Sequence, residues 1–182
     1  MKQATTLITI GALMVSTIGA HAATPDWKKQ FAKVSDEYFD QVYFHYAPSN
    51  GTMVGYHQYD AQLEDYSRPT IDAEIAALKN FAQRIEAIVP DNSPADFAPR
   101  SDREIVLSNI RSQLLTFETI RPWEKNADTY SSTCANAAFV LMERKFAPPD
   151  DRLRSLVARE KQMPHTTRRC ARESQKSSTH LH

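Results

Sequence analysis

The residue types best suited to chemistry lie in the string Gly55-Tyr56-His57-Gln58-Tyr59-Asp60 and its sequel Ala61-Gln62-Leu63-Glu64-Asp65. His57 and Asp60 stand three residues apart, where an imidazole and a carboxylate could share a metal ion or form a base and the group that orients it. A metal site needs three or more converging ligands, and this pair supplies two. The commoner use of such a loop is to fix itself by side-chain to backbone hydrogen bonds, with its tyrosines packed on neighbouring helices. The sequence therefore assigns no catalytic, cofactor-binding or metal-ligating residue.

Other chemistries find less support. No H-E-x-x-H, G-x-S-x-G or C-x-x-C string occurs. The 4 glycines form neither a G-x-G-x-x-G nor a Walker pattern. His45, among Tyr43, Phe44 and Tyr46, reads as a helix-end residue. Arg144, Lys145, Arg152, Arg154 and Arg159 alternate with Glu143, Asp150, Asp151 and Glu160, the pattern of a solvated, ion-paired face.

The elements that must hold the loop are helices. Thr24-Pro25-Asp26 is a helix start, with a capping hydroxyl, proline at the first helical position and an acid near the positive dipole end. Trp27, Phe31, Val34, Tyr38 and Val42 follow at three- and four-residue steps, and the helix ends near Tyr46, before the turn signal Pro48-Ser49-Asn50-Gly51. Residues 51–69 read as an ordered connection with at most one short helical turn. Thr70 caps a second helix with Ile71, Ile75, Leu78, Ala82, Ile85 and Val89 on one stripe, stopped by Pro90. Ser101-Asp102-Arg103-Glu104 fits a capping box for a third, carrying Ile105, Leu107, Ile110, Leu114 and Phe117. A fourth begins near Asp128 to Ser131, with Ala135, Ala138, Phe139 and Met142, and breaks at Pro148-Pro149. Asp150 or Asp151 caps a fifth, with Leu153, Leu156, Val157 and Met163. About five helices and no strand pair make the fold class all-α, an incomplete helical bundle or array.

Composition bounds what these helices can do. The 182 residues hold 22 Lys+Arg against 22 Asp+Glu, a formal net charge of zero. A sequence-independent nucleic-acid binder would carry a basic surplus, so no nucleic-acid partner is expected. At 41 % hydrophobic the chain is not mainly disordered. Lys2, the low-charge run Leu7 to Ala20 and the small-x-small end Ala20-His21-Ala22 form a secretory signal peptide over residues 1–22. The expected location is periplasmic or secreted, with no membrane attachment after cleavage. Cys134 sits in an apolar stretch and Cys170 in a polar one, which reads as a buried thiol and an unrelated one rather than a disulfide.

Helical character extends over residues 23–164. Residues 165–182 (HTTRRCARESQKSSTHLH) hold four Lys/Arg, one acid, three histidines and one large aliphatic, too little to pack as the preceding helices do. This segment reads as a disordered tail, and over Ala171 to His182 a neighbouring reading frame could encode Ala-Ser-Leu-Lys-Asn-Pro-Pro-His-Ile-Tyr.

Several strings together carry a resemblance: Ser35-Asp36-Glu37-Tyr38-Phe39, Gly55 to Asp60, Asp102-Arg103-Glu104, Ile120-Arg121-Pro122-Trp123-Glu124-Lys125-Asn126, Lys145 to Leu156, and Arg159-Glu160-Lys161-Gln162-Met163-Pro164. The stretch from Pro25 to Pro164 resembles the start of the bacterial domain-of-unknown-function family eight-hundred-eighty-five. Members of that family are several times longer and look like helical zinc-dependent peptidases, with a His-Glu-x-x-Pro-Gly-His type motif far downstream. The resemblance implies a truncated N-terminal portion, out of frame after Pro164, without the metal-binding half and inactive alone. Zinc is expected only for the full-length family, and the implied partners are a peptide substrate or the missing C-terminal portion. The other reading is a self-sufficient helical binding or interaction module in the periplasm. Oligomeric state is not legible.

Overall fold

The computed structural model describes residues 26–91 and 93–166, and among them it is all helix and connection, with no strand. The expected signal peptide, the Thr24-Pro25 start, Cys170 and nearly all of the expected tail lie outside these residues. His165 and Thr166 fall within them; both are helical, and Thr166 is buried.

Six helices of seven residues or more are seen among the described residues: α1 Trp27–Tyr38, α2 Pro48–Val54, α3 Arg68–Glu86, α4 Phe97–Leu114, α5 Asp128–Glu143 and α6 Pro149–Glu160. Asp26 caps α1, its carboxylate accepting the Lys28 N–H at 3.1 Å. The rod runs on through a π-helical stretch, Phe39–Tyr43, and a short α turn, Phe44–Tyr46, so its end at Tyr46 is as expected. Pro48-Ser49-Asn50-Gly51 is not a turn but the start of α2. Proline fits the first turn of a helix because its missing N–H needs no partner there. Gly51 is required inside α2, since a Cβ there would stand 2.6 Å from the Tyr59 ring. Gly55 closes α2 at φ +98°, a left-handed cap that favours glycine. One 3-10 turn, His57–Tyr59, follows.

Ser67 rather than Thr70 caps α3, its hydroxyl accepting the Thr70 N–H at 3.3 Å, with Pro69 in the first turn. α4 starts at Phe97, four residues before the expected capping box; Ser101 is already inside it, its hydroxyl bonded to the Phe97 carbonyl. A second π-helical stretch, Leu115–Ile120, ends α4 at Arg121, whose φ of 55° lets its N–H reach the Thr116 carbonyl at 2.8 Å. The single turn Pro122–Lys125 then buries Trp123, whose ring lies near the Arg68 and Arg121 guanidinium groups.

The main core joins α1 and its continuation (Trp27, Phe31, Tyr38, Val42) to α3 (Leu78, Phe81, Ile85, with Ile88 just beyond it) and α4 (Val106, Leu107, Ile110). A smaller cluster of Leu63, Cys134 and Ala137 fastens α5 to the loop after Tyr59. Several expected stripes sit at a different rotation. Val89 and Ile105 are exposed, and Val106 is buried instead. On α5 the buried face is Tyr130, Cys134, Ala137, Val140 and Leu141, whereas Phe139 and Met142 face out. On α6, Leu153 and Val157 are exposed and the fully buried side chain is Arg159.

Candidate functional site

His57 and Asp60 do meet: the imidazole Nδ1 lies 3.1 Å from Asp60 Oδ2. The same ring stacks on Phe146, with centroids 4.1 Å apart, so the histidine is held against the residues between α5 and α6. Asp60 is buried, on the side of the loop that faces Arg159.

Arg159 organises this side of the molecule. It reaches from α6 to the Ala137 carbonyl of α5 at 2.6 Å, the Thr52 hydroxyl of α2 at 2.7 Å and the Tyr59 carbonyl at 3.3 Å. Burial pulls its pKa down, and the charges of Glu64 and Asp60 oppose that. A guanidinium suits this post because its planar fork serves several acceptors at once. The basic residues of the C-terminal part are thus not one solvated face. Arg154 does pair with Asp151 on the surface, but Arg152 holds the Leu141, Met142 and Ala147 carbonyls, Arg144 donates to the Met53 carbonyl, and Arg159 is interior.

On the opposite side of Glu64 the helices leave a cleft of about 710 Å³, within the size range of small-molecule sites. Tyr43 and Tyr46 at the end of the first rod form one wall, and Ser49, Asn50 and Met53 of α2 continue it. Asn109, Gln113 and Phe117 enter from α4 and its π-helical extension, and Thr133, Asn136 and Phe139 from α5. Glu64 and Tyr66 come from the loop, and Glu74 from the middle of α3. Each π-helical stretch contributes an aromatic ring here, Tyr43 and Phe117.

Several of the cleft's buried polar side chains are held by hydrogen bonds, and Glu74 is not. Glu64 accepts the Ser49 N–H and hydroxyl, each at 3.0 Å, satisfying a free donor at the start of α2. Tyr66 bonds Thr133 at 3.1 Å. Tyr38, fully buried behind the cleft, donates to Asn109 Oδ1 and accepts from Gln113 Nε2, both at 2.9 Å, and burial pushes its pKa up to about 12. Glu74 is 8 % exposed and burial pushes it up to about 7. The sequence reading missed both Glu74 and the buried Arg159. A signal existed: Glu74 lies three residues after Ile71 and four before Leu78, on the apolar stripe itself.

The model of the family described as Bacterial protein of unknown function (DUF885) matches residues 48–180, well over half of the chain. The chain belongs to this family. The matched stretch starts later than Pro25 and continues past Pro164, across most of the segment read as out of frame. No curated protein and no solved structure matches the chain. Zinc is what the resemblance to helical peptidases leads one to expect of the full-length family, and whether these residues fit a metal turns on their donors. Among the described residues no group of three or more His, Cys, Asp or Glu is gathered to hold a metal. His57 and Asp60 bind one another, and the nearby Glu64 is committed to Ser49. Among the described residues this donor set does not fit a zinc site, which takes at least three protein ligands. No described helix is long and apolar enough to cross a membrane.

Proposed function

We propose that this chain is a helical binding portion of an exported DUF885 protein, non-catalytic on its own, and that its working surface is the cleft around Glu74. The observation that carries this is the cleft itself. Its walls come from six separate segments, and they present tyrosine rings and amide, hydroxyl and carboxylate groups. Such groups hydrogen-bond and stack on a bound molecule. Export is supported by Lys2, the run Leu7 to Ala20 and Ala20-His21-Ala22. Likeness to zinc peptidases rests on the family resemblance, in which the metal motif lies downstream of the portion resembled here. Hydrolysis in full-length relatives would then be the work of residues outside this portion, with a peptide substrate or the rest of such a protein as the partner.

Exposed apolar side chains favour a role within a larger assembly. Phe97, Ile105, Phe139, Met142 and Leu153 are each more than half exposed, and covering them would remove apolar area from water. The self-sufficient module also has an observation in its favour: Leu78, Ile85 and Ile110 are wholly buried in one continuous core. The chain is tested by purifying it, dialysing it against zinc and assaying dipeptide anilides. The expected result is substoichiometric zinc and no cleavage above the rate in buffer. Zinc retained one per chain together with turnover would overturn the non-catalytic reading.

A further inference from the structure

The four buried carboxylates of the described residues are Asp60, Glu64, Glu74 and Asp96. Three of them have partners: Asp60 faces His57, Glu64 accepts from Ser49, and Asp96 is paired with Lys28 at 2.7 Å. Glu74 has no hydrogen bond and no ion pair among the described residues, and it opens onto the cleft. Burying a carboxylate without a partner is costly, and an arriving positive group would remove that cost.

We propose that the cleft binds a small organic cation, an amine or alkylammonium, with its charged head on Glu74 and its carbon chain along the rings of Tyr43 and Tyr46. The proposal rests on the binding reading above and names the ligand's chemistry. Aromatic faces attract cations, more strongly where water is excluded. The charges around Glu74 point the same way. Glu64 and Glu143 also line the cleft, and the one cationic lining residue, Arg144, is tied to the Met53 carbonyl. Besides those three, the titratable groups that face Glu74 from neighbouring elements are phenols, whose protonated form is neutral. Burial raises Tyr38, Tyr46 and Tyr66, and the Glu74 charge adds to each. Tyr43 completes that wall. The α4 residues beside them, Asn109 and Gln113, are uncharged amides. Because burial alone holds Glu74 near 7, ligand affinity should climb as pH rises through that value and the carboxylate ionises.

The test is calorimetric titration of the full chain in phosphate buffer with n-hexylammonium, hexan-1-ol and hexanoate. Hexylammonium is expected to bind at least about tenfold more tightly than the alcohol or the acid, the difference made by a charged hydrogen bond. Its affinity should rise from about pH 6 to about pH 8, following Glu74 ionisation. Glu74→Gln should abolish that preference with the helical circular dichroism unchanged, and Glu74→Asp should keep it. Should Glu74→Gln fail to fold, the pH profile of the unaltered chain decides. Equal binding of the alcohol overturns the cation proposal and leaves the binding cleft standing. Preference for hexanoate, or hexylammonium affinity flat with pH, also overturns the cation proposal. No binding of any of the three overturns the cation proposal and the cleft reading together.

Discussion

Arg159 and Glu74 are both charged residues inside the fold, and they are treated in opposite ways. Arg159 is surrounded by acceptors from α2, α5 and the 3-10 turn, with Glu64 and Asp60 near enough to favour its charge. Removing it leaves those acceptors and carboxylates uncompensated in a place water does not reach. Arg159→Met should therefore cost about 3–5 kcal/mol, the usual penalty for breaking a buried charge network. Arg159→Lys should recover only part of it, because one ammonium cannot span three directions. Urea unfolding midpoints measure both, and a Met variant as stable as the unaltered chain would mean the hub does not form. Neither residue was legible, since a charged side chain reads as solvent-facing by default. The clue is positional: Arg159 falls three residues after Leu156, as Glu74 falls three after Ile71. His57 and Asp60 were legible as a pair, and they do pair. Phe146 and Arg159, which give that pair its setting, come from distant sequence.

At the scale of elements, legibility followed side-chain size. Ile71, Leu78 and Ile85 are large, branched and correctly spaced, and all three are buried. Helix α5 is rich in alanine, so its apolar residues do not define one direction. Phe139 and Met142 drew the expected stripe toward themselves, and packing chose the face of Ala137 and Leu141 instead. Pro48 misled for a different reason. Proline both ends and begins helices, and the Glu64 carboxylate that satisfies the start of α2 is supplied from a loop. Gly51 gives α2 its own test. The Tyr59 ring is buried against it, with the phenol bonded to Asp40 at 3.1 Å, so the ring has little freedom to yield. Gly51→Ala should lower stability by about 1–3 kcal/mol through this overpacking, despite the better helix propensity of alanine of about 1 kcal/mol. A thermal melt checks the sign, and a higher melting temperature would show that Tyr59 moves aside.

At the scale of the molecule, the all-α class and the family were readable, whereas the cleft was not. Its lining residues run from Tyr43 to Arg144, and no local pattern shows that rod, α2, loop, α3, α4 and α5 converge on one cleft. That convergence is also what removes water from Glu74, so the whole arrangement has a titration signature. An acid whose folded pKa lies above its unfolded value binds more protons when folded. Stability from Glu74 is then fully present below its ordinary pKa of 4.5 and is lost as pH rises to about 7. The loss should be on the order of 1–3 kcal/mol, and absent in Glu74→Gln. The most direct measurement is the carboxyl carbon-13 chemical shift of Glu74 followed against pH in the intact chain. A midpoint near 7 is predicted, because the segments lining the cleft close around the group. A midpoint at the ordinary carboxylate value would mean that Glu74 is solvated, the walls do not meet, and the cleft is not the working surface.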